Sequence, residues 1–350
     1  MSRGRAFVLG ATGQIGRAAV RALSGDGWEV TAASLGGGRD GTWDSGVRTV
    51  ALDREEEGAL SAALGEGCDV LVDTVAFGRG HAAQLTESGR RAGSAVVISS
   101  GAVYEDGRGR SFDTQGEPDG FPAYPVPIPE TQRTVPPGDT TYATRKIALE
   151  QDLLAAGDVW PVTLLRAGAV HGEHCRTPRE LYFVKRLLDG RRRRVLAYGG
   201  ESRFHPVHVS NVAELIRLAA LRPASRVLNA GDPQAPTVAE IGAAVDGVLG
   251  VETETVLMPG APPPRDGVGE TPWSGSRPVV YDMSEAARQL GYRPVTGYAE
   301  SLPRTVAWLV EQLDGRDWRE AFPKMVRNYG ETLFDYAAED AWLDRHERTV

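Results

Sequence analysis

The segment FVLGATGQIG, residues 7–16, constrains the fold more than any other part of the chain. An apolar run leads into Gly10, Gly13 and Gly16, and a helical pattern follows directly. Glycines at such positions serve a tight turn, the close approach of backbone to a pyrophosphate, and the packing of helix on strand. The N–H groups at the helix start, residues 12–15, would then face the phosphates. The segment therefore predicts a dinucleotide-binding strand–turn–helix unit.

Short apolar runs alternate with helix-length segments through the first half of the chain, a pattern typical of a doubly wound parallel sheet. We predict an α/β fold, in which a Rossmann sheet is joined by a smaller, interleaved C-terminal substrate domain. The predicted strands are residues 6–9, 28–33, 47–52, 70–72, 95–99, 162–165, 207–209 and 227–230. The predicted helices are residues 14–23, 81–92, 140–156, 181–188, 211–221 and 238–249.

The same pattern predicts how the chain divides into domains. The Rossmann domain is expected to hold residues 1–168 and about 205–232, and the substrate domain about 169–204 and 233–312. Residues 313–350 are expected to form a helical C-terminal extension whose aromatic side chains pack onto the body, with an oligomer contact as the alternative. These aromatic residues are Trp318, Phe322, Tyr329, Phe334, Tyr336 and Trp342.

Composition excludes several classes of function. The net charge of −8 and a pI near 5.4 argue against nucleic-acid or anionic-membrane partners. No apolar run approaches the roughly 20 residues that span a bilayer, and the N-terminus lacks a signal-peptide pattern. Two cysteines, Cys68 and Cys175, imply no disulfide framework. We expect a cytoplasmic protein that acts on a small molecule, and we expect a homodimer.

Two segments have unusual composition. Residues 191–194 are four consecutive arginines, interpreted as a solvated helix-to-strand turn, with a phosphate-facing patch of the substrate site as the alternative. Residues 105–139 form a long Gly/Pro/Asp-rich loop. Loops of this length inside a compact domain are usually functional or disordered, and we predict a lid over the substrate.

The end of the second predicted strand bears on the choice of cofactor. No carboxylate stands there to bind the ribose 2′-OH of NAD. Ser34 and Arg39 are instead placed to bind a 2′-phosphate, although Arg39 is equally explained as a plain surface residue. The sequence thus favours NADP(H), with NAD(H) as the alternative. Asp53, at the end of the third strand, is placed to accept from the adenine amino group or to cap the next helix.

Tyr142 and Lys146 stand four residues apart in a predicted helix, so both side chains share one face. The fifth predicted strand ends in SSGAVY, residues 99–104, which places hydroxyl groups at the carboxyl edge of the sheet. Ligands of doubly wound folds bind at that edge. The sequence therefore brings a candidate tyrosine–lysine pair and a serine to the expected cofactor cleft.

With these motifs in order, the chain resembles the extended short-chain dehydrogenases/reductases, often labelled the NAD-dependent epimerase/dehydratase family. The resemblance covers roughly residues 5–310 and rests on Gly-x-x-Gly-x-x-Gly at 10–16, Ser-Ser-x-x-Val-Tyr at 99–104 and Tyr-x-x-x-Lys at 142–146. Residues 165–172, 206–213, 229–231 and 290–294 are similar to later landmarks of the family.

The resemblance implies roles for three residues. Ser100 matches the catalytic serine, Tyr142 the general acid/base, and Lys146 the lysine that binds the nicotinamide ribose. A free phenol has a pKa of ~10, and we expect the ammonium and the cationic nicotinamide to lower it. Ser99 is expected to bond to backbone. The predicted cofactor-binding residues are Gly10, Thr12, Gly13, Gln14, Ile15, Gly16, Ser34, Arg39, Asp53, Thr74, Val75, Ala76, Tyr142, Lys146, Ala169 and Val170.

Departures from the family pattern narrow the chemistry. Related dehydratases and decarboxylases carry carboxylates where this chain has Gly101 and Ala102, which argues against both activities. Ala169 stands where related sugar-nucleotide enzymes often have an asparagine that contacts the diphosphate. The predicted substrate residues are Ser100, His171, Arg203 and His205. We predict no metal site, because the histidines and Cys175 lack a second pair with ligand spacing.

The favoured function is that of an NAD(P)-dependent oxidoreductase, which transfers hydride between nicotinamide and a hydroxyl or carbonyl carbon of a polar small molecule. A sugar-nucleotide epimerase with retained NAD is the alternative. A non-catalytic NADP-sensing or RNA-associated relative is least favoured, because Ser100, Tyr142 and Lys146 are all present and the chain is acidic.

Overall fold

The structure is a computed structural model that describes residues 2–157 and 160–347. The chain forms two compact units. The first comprises Met1–Gly168, Val207–Asp232 and Tyr281–Thr296. The second comprises Ala169–Pro206, Pro233–Val280 and Gly297–Val350.

Strands and helices follow one another along both units of the chain. The strands are β1 Arg5–Leu9, β2 Glu29–Ser34, β3 Arg48–Ala51, β4 Cys68–Asp73, β5 Ala92–Ser100, β6 Val162–Ala167, β7 Ala169–His171, β8 Arg193–Leu196, β9 Pro206–His208, β10 Arg226–Ala230 and β11 Glu254–Leu257. The α-helices are α1 Gln14–Gly25, α2 Ala59–Leu64, α3 Arg79–Ser88, α4 Tyr142–Ala155, α5 Leu181–Leu188, α6 Val209–Leu221, α7 Val238–Leu249, α8 Ser284–Leu290, α9 Tyr298–Leu313, α10 Trp318–Ala321, α11 Pro323–Tyr329 and α12 Tyr336–Glu347. None of these helices is long and apolar enough to cross a membrane.

The first unit is built on a seven-stranded sheet in the order β10-β6-β5-β4-β1-β2-β3, with neighbouring strands parallel throughout. The predicted doubly wound α/β fold is confirmed. Strands β4, β5 and β6 are apolar and almost wholly buried, as parallel strands are when helices cover both faces. The strand order reverses between β1 and β4, and ligands of such sheets bind outside the carboxyl ends at this switch point.

Residues 281–296 pack with the first unit, although the sequence analysis placed them in the substrate domain. Tyr281 forms a parallel bridge with Ile128. The N–H of Asp282 donates to the carbonyl oxygen of Ile128 at 2.8 Å, and the Asn229 amide donates to the carbonyl oxygen of Asp282 at 3.2 Å. These contacts join residues that are far apart in the chain, so no periodic pattern in the sequence predicts them.

The loop at residues 105–139 is folded by its own hydrogen bonds. Asp106 accepts from the N–H groups of Arg108, Arg110 and Ala123 and from the Arg110 guanidinium, at 2.8–3.0 Å. Burial opposes ionisation of this carboxyl, but the four hydrogen bonds outweigh it and lower the pKa of Asp106. The Tyr124 hydroxyl donates to the carbonyl oxygen of Tyr104 at 2.7 Å. The loop is thus tied to the segment that follows the carboxyl end of β5, and its role as a lid stays a prediction.

The second unit has its own apolar core. Strands β8 and β11 pair in parallel. The described residues beyond 313 belong to this unit and do not form a separate extension. Trp318, Phe322 and Met325 are buried in its core, and Leu343 of α12 packs in a cluster with Val195. The aromatic pattern of the C-terminal segment therefore reflects core packing.

The arginine run at 191–194 is a helix-to-strand turn only in its first half, where Arg192 is exposed. Residues 193 and 194 belong to β8, and Arg194 is buried and pairs with both carboxylate oxygens of Asp246 at 2.9 and 2.7 Å. Arg191 pairs with Asp340 and contacts Glu339 at 3.2 Å. Carboxylates of this unit therefore take the place of the alternative phosphate partner for Arg191 and Arg194.

The buried carboxylate of Glu339 fastens α12 to the second unit. It accepts from Arg186, from Arg191 and from the N–H of Val195. Removing one partner of a buried ion pair leaves the other charge uncompensated in a medium of low polarity, which costs about 3–5 kcal/mol. Glu339 is therefore the anchor of the C-terminal helix.

We predict that Glu339→Ala lowers the free energy of unfolding by about 3–5 kcal/mol. The control Asp344→Ala removes a carboxylate from an exposed position of the same helix, and should change stability by less than about 0.5 kcal/mol. Urea denaturation followed by circular dichroism measures both. Equal effects of the two variants would contradict the anchoring role.

Candidate active site

The glycine turn has no room for side chains. Gly10 has φ +75°, and a Cβ atom there would lie 2.5 Å from the Thr74 hydroxyl oxygen and from Val75 Cγ1. A Cβ atom at Gly16 would lie 2.2 Å from the carbonyl oxygen of Gly10. Gly13 caps α1 without a side-chain hydrogen bond. The bare backbone at a helix N-terminus fits a bound pyrophosphate, so the residues present are compatible with a dinucleotide.

The three residues predicted to contact the adenosine, Ser34, Arg39 and Asp53, have different surroundings in the structure. The Arg39 guanidinium donates to the carbonyl oxygens of Val47 (2.7 Å), Trp43 (3.4 Å) and Asp44, so it braces its own loop. Ser34 is buried, and its hydroxyl has no hydrogen-bond partner among the described residues. Asp53 accepts from the N–H of Glu55 at 2.9 Å, within a turn. It does not cap the next helix, because α2 begins at Ala59 and its N-cap is Gly58.

Ser100 and Tyr142 lie together. Ser100 ends β5 and accepts from the N–H of Ala102 at 3.1 Å, which caps a short 3₁₀ turn over Gly101–Val103. Tyr142 begins α4 directly after Thr141, whose side chain forms a capping box with Thr144. The last residue of the strand and the first residue of the helix thus have fixed positions, and the Ser100 hydroxyl lies close enough to Tyr142 to oppose the rise that burial causes in its pKa.

Tyr142 is partly open to solvent. It is 51% exposed, and its ring stacks on that of Phe77 at a centroid distance of 5.6 Å. Burial of the hydroxyl end raises the pKa of Tyr142, while the hydrogen bond with Ser100 opposes that rise. The pKa decrease expected from the sequence therefore does not occur in the chain by itself, because burial dominates.

Lys146 is buried beneath this pair. Its ammonium donates to the carbonyl oxygens of Ala76 at 2.7 Å and Ile98 at 2.9 Å, and lies 5.8 Å from the centroid of the Tyr142 ring. Burial lowers the pKa of Lys146 to about 8, against the opposing effects of Asp73 and Glu150. Ammonium has three N–H donors, so one direction is left beyond the two carbonyl contacts.

Sequence reasoning missed the polar side chains that support these residues. Ser99 donates to Glu150 at 2.5 Å, so its predicted bond to backbone was wrong. Glu150 in turn pairs with Arg166 at 2.6 Å, and Arg166 lies over the Tyr104 ring. The available signals were an arginine within the apolar strand VTLLRA and a glutamate on the apolar side of α4. Each signal called for a buried partner of opposite charge.

Tyr281 explains why position 101 is glycine. A Cβ atom at Gly101 would lie 2.1 Å from the Tyr281 hydroxyl oxygen and 2.3 Å from its Cζ atom. Tyr281 is buried, with its ring 6.1 Å from that of Tyr104. Position 101 therefore has no space for any side chain, carboxylate or otherwise. The sequence could not reveal this contact, since 180 residues separate the partners.

His171 lies in the interior of the second unit. It is 1% exposed, its Nδ1 atom is 3.7 Å from a carboxylate oxygen of Glu180, and its ring is 4.9 Å from that of Tyr298. The Tyr298 hydroxyl donates to the same carboxylate at 3.2 Å. These contacts account for a histidine in an apolar core, and its substrate role stays a prediction.

The other second-unit candidates make backbone contacts. Arg203 donates to the carbonyl oxygen of Ala235 and lies 3.9 Å from Glu240. His205 is buried, its N–H donates to Val279 at 2.8 Å, and its carbonyl oxygen accepts from Ala169 at 3.0 Å. The carbonyl oxygen of Val170 accepts from Cys175 at 3.6 Å. Within residues 2–157 and 160–347 no three His, Cys, Asp or Glu side chains gather in a metal-binding group.

Comparison with known families gives one match. Residues 6–231, more than half of the chain, match the model of the family described as NAD dependent epimerase/dehydratase. No curated protein sequence matches the chain significantly.

Solved structures share the fold over almost their whole length. A UDP-glucose 4-epimerase with UDP-glucose from the hyperthermophilic eubacterium Thermotoga maritima is 20% identical, with a TM-score of 0.66 over 88% of this chain and 99% of that one. A Thermus thermophilus UDP-glucose 4-epimerase complex with NAD is 22% identical, with a TM-score of 0.63 over 87% and 99%. A UDP-N-acetylglucosamine 4-epimerase from Methanobrevibacter ruminantium in complex with UDP-N-acetylmuramic acid is 18% identical, with a TM-score of 0.67 over 89% and 100%.

We predict that Gly101→Ala costs about 1–3 kcal/mol of stability through overpacking, and that this cost shrinks in a Tyr281→Ala background. Tyr281→Ala opens the space but also leaves a cavity, so only the coupling between the two changes is informative. Gly107→Ala is the matched control, because a Cβ atom there meets nothing within 4 Å. Urea denaturation of all four variants would refute the contact if Gly101→Ala cost the same in both backgrounds.

Proposed function

Because the chain belongs to the NAD-dependent epimerase/dehydratase family, we propose that it transfers hydride between a nicotinamide cofactor and a carbon that carries a hydroxyl or carbonyl group. The observation that carries the proposal is the grouping of Ser100, Tyr142 and Lys146. Ser100 ends β5 and Tyr142 begins α4 close to it, and the Lys146 ammonium lies 5.8 Å from the centroid of the Tyr142 ring. A polar small molecule is the substrate.

The three side chains have separate tasks in this proposal. Nicotinamide, when bound, accepts or returns the hydride. Tyr142 takes the hydroxyl proton as hydride leaves and gives it back as hydride returns. Ser100 holds the same substrate oxygen by hydrogen bond. Lys146 directs its third N–H toward the cofactor ribose and, as a cation, favours the phenolate. Since burial raises the pKa of Tyr142 in the chain alone, the decrease must come with the cofactor's positive charge.

Epimerisation of a sugar nucleotide is the leading form of this reaction. It needs hydride removal and return at one carbon and a single proton relay, and the crowding at Gly101 excludes a carboxylate there for elimination. Solved structures that share nearly all of this fold include several UDP-sugar 4-epimerases. A reductase that exchanges its cofactor is the second candidate, favoured by Ala169 in place of the asparagine that binds a diphosphate in related enzymes.

NAD(H) is the cofactor of this proposal, in place of the NADP(H) that the sequence favours. The Arg39 guanidinium already serves three backbone carbonyls, and Ser34 is buried. Arg39 is the one charged residue near the end of β2 that the sequence offered for a 2′-phosphate. Neighbours of the same fold are described in complex with NAD. A cytoplasmic homodimer remains our expectation for the assembly.

We predict that the purified protein binds NADH at least tenfold more tightly than NADPH, because Arg39, the arginine placed for a 2′-phosphate, already donates to three backbone carbonyls. Protein fluorescence titration gives both dissociation constants. Mass spectrometry of the nucleotide released on denaturation separates the two candidate reactions: retained NAD⁺ supports the epimerase, and an empty protein supports the reductase. Tighter binding of NADPH would reverse the cofactor assignment. If the protein bound neither nucleotide, the proposed enzymatic function would be refuted.

We predict that Tyr142→Phe lowers turnover about 10²–10⁴-fold, the contribution of a positioned general acid/base. Interconversion of UDP-glucose with UDP-galactose, and of their N-acetylated forms, is followed by NMR. Tyr329→Phe removes the hydroxyl of a partly buried residue that packs against the core of the second unit, and should retain full activity. Full turnover by Tyr142→Phe on a substrate that the parent protein converts would exclude the proposed proton relay.

A further inference from the structure

The candidate lysine is the middle member of a row of five buried side chains of alternating charge. Their exposed fractions are all below one tenth, and neighbouring members of the row carry opposite charges. In order they are Arg54 (8%), Asp73 (0%), Lys146 (6%), Glu150 (2%) and Arg166 (6%). The terminal pairs are direct, with 2.6 Å between Arg54 and Asp73 and 2.6 Å between Arg166 and Glu150. Buried charges of this kind persist only when they compensate one another.

Lys146, the central member of the row, forms no direct ion pair with any of the described residues. The Lys146 ammonium donates to the carbonyl oxygens of Ala76 and Ile98, which are neutral. Its charge therefore depends on carboxylates nearby that do not touch it. Burial is the largest influence and lowers the pKa of Lys146 to about 8, Asp73 and Glu150 counter that decrease, and Arg54 adds to it.

Asp73 also fixes the backbone that holds the ammonium. It ends β4, and one of its carboxylate oxygens accepts from the N–H of Val75 at 2.8 Å. The next residue, Ala76, supplies the carbonyl oxygen that Lys146 binds. The other carboxylate oxygen of Asp73 accepts from Arg54, which also donates to the Gln84 side chain at 3.1 and 3.3 Å. Asp73 thus acts on Lys146 through geometry and through charge.

We propose that Asp73 and Glu150 are positioning residues that keep Lys146 charged and in place at the cofactor edge of the sheet, and that Arg54 holds Asp73 in position while its own positive charge opposes that of Lys146. The catalytic consequence rests on the proposed function, but the charge of Lys146 is a property of the folded chain. The groups that face Lys146 are Asp73 from β4, Glu150 from its own helix, Arg54 from the loop after β3, and the rings of Phe77 and Tyr142.

The row makes predictions of opposite sign. Asp73→Asn and Glu150→Gln each remove a negative charge, so they should move the Lys146 titration to lower pH by about one pH unit. Arg54→Gln removes a positive charge, so it should move the titration to higher pH. Because this buried lysine has a lowered pKa, the ammonium is present below that pKa and is lost as the pH rises through it. A purely structural role would instead make all three variants shift Lys146 in the same direction, toward the value of an exposed lysine.

Lysine NMR reads this charge without any substrate. The chain has three lysines, Lys146, Lys185 and Lys324, so protein labelled with ¹³C at lysine Cε gives three signals. Lys185→Arg and Lys324→Arg assign them. The Lys146 signal is then titrated between pH 6 and 11 in the full-length parent and in each variant. Asp69→Asn, which removes a carboxylate at the opposite end of β4, should leave the Lys146 midpoint unchanged.

The titration can overturn the proposal cleanly. Shifts of Asp73→Asn and Arg54→Gln in one direction, or the absence of both, would show that the row does not set the charge. If Asp73→Asn fails to fold, as judged by amide spectra, Glu150→Gln serves as the variant that removes a negative charge near Lys146. NAD⁺ binding by the parent protein is measured separately. Opposite shifts in a protein that binds no nucleotide would keep the charge row and reject the proposed function.

Discussion

The ammonium of Lys146 ties the candidate site together. By donating to the carbonyl oxygens of Ala76 and Ile98, it joins the segment after β4, the end of β5 and the first turn of α4. Tyr142 at the head of the same helix and Ser100 at the end of the same strand then have fixed positions relative to each other. The arrangement needs a cation in an apolar environment, and buried carboxylates on both sides of it make that environment tolerable.

The sequence was most informative where the physics is local. The glycine turn, the alternation of apolar strands with helices, and the spacing of Tyr142 and Lys146 are all properties of a few consecutive residues. They predicted the parallel sheet and placed Ser100 at its carboxyl edge. In the second unit the local signal was weaker. Helix α9, for example, contains Pro303 and was not predicted, because a proline inside a helical pattern usually marks its end.

The rest depends on contacts between distant residues, which no short pattern encodes. The buried pairs Arg194 with Asp246 and Arg54 with Asp73 each look like solvated charge in sequence, since only the fold brings the partners together. The same is true of Arg39, because its three carbonyl acceptors are brought to it by the course of a loop. Long-range pairing thus decides which charges belong to a cofactor and which belong to the scaffold.

The contact between Gly101 and Tyr281 has a consequence for how the protein is made. Tyr281 returns to the first unit only after the chain has passed through residues 233–280 of the second. A nascent chain that has left the ribosome as far as residue 232 already contains every strand of the large sheet. It still lacks the phenol that fills the space beside the turn at Gly101–Val103. Packing of that turn is therefore coupled to synthesis of the inserted segment, so the candidate site is expected to be among the last parts of the first unit to form.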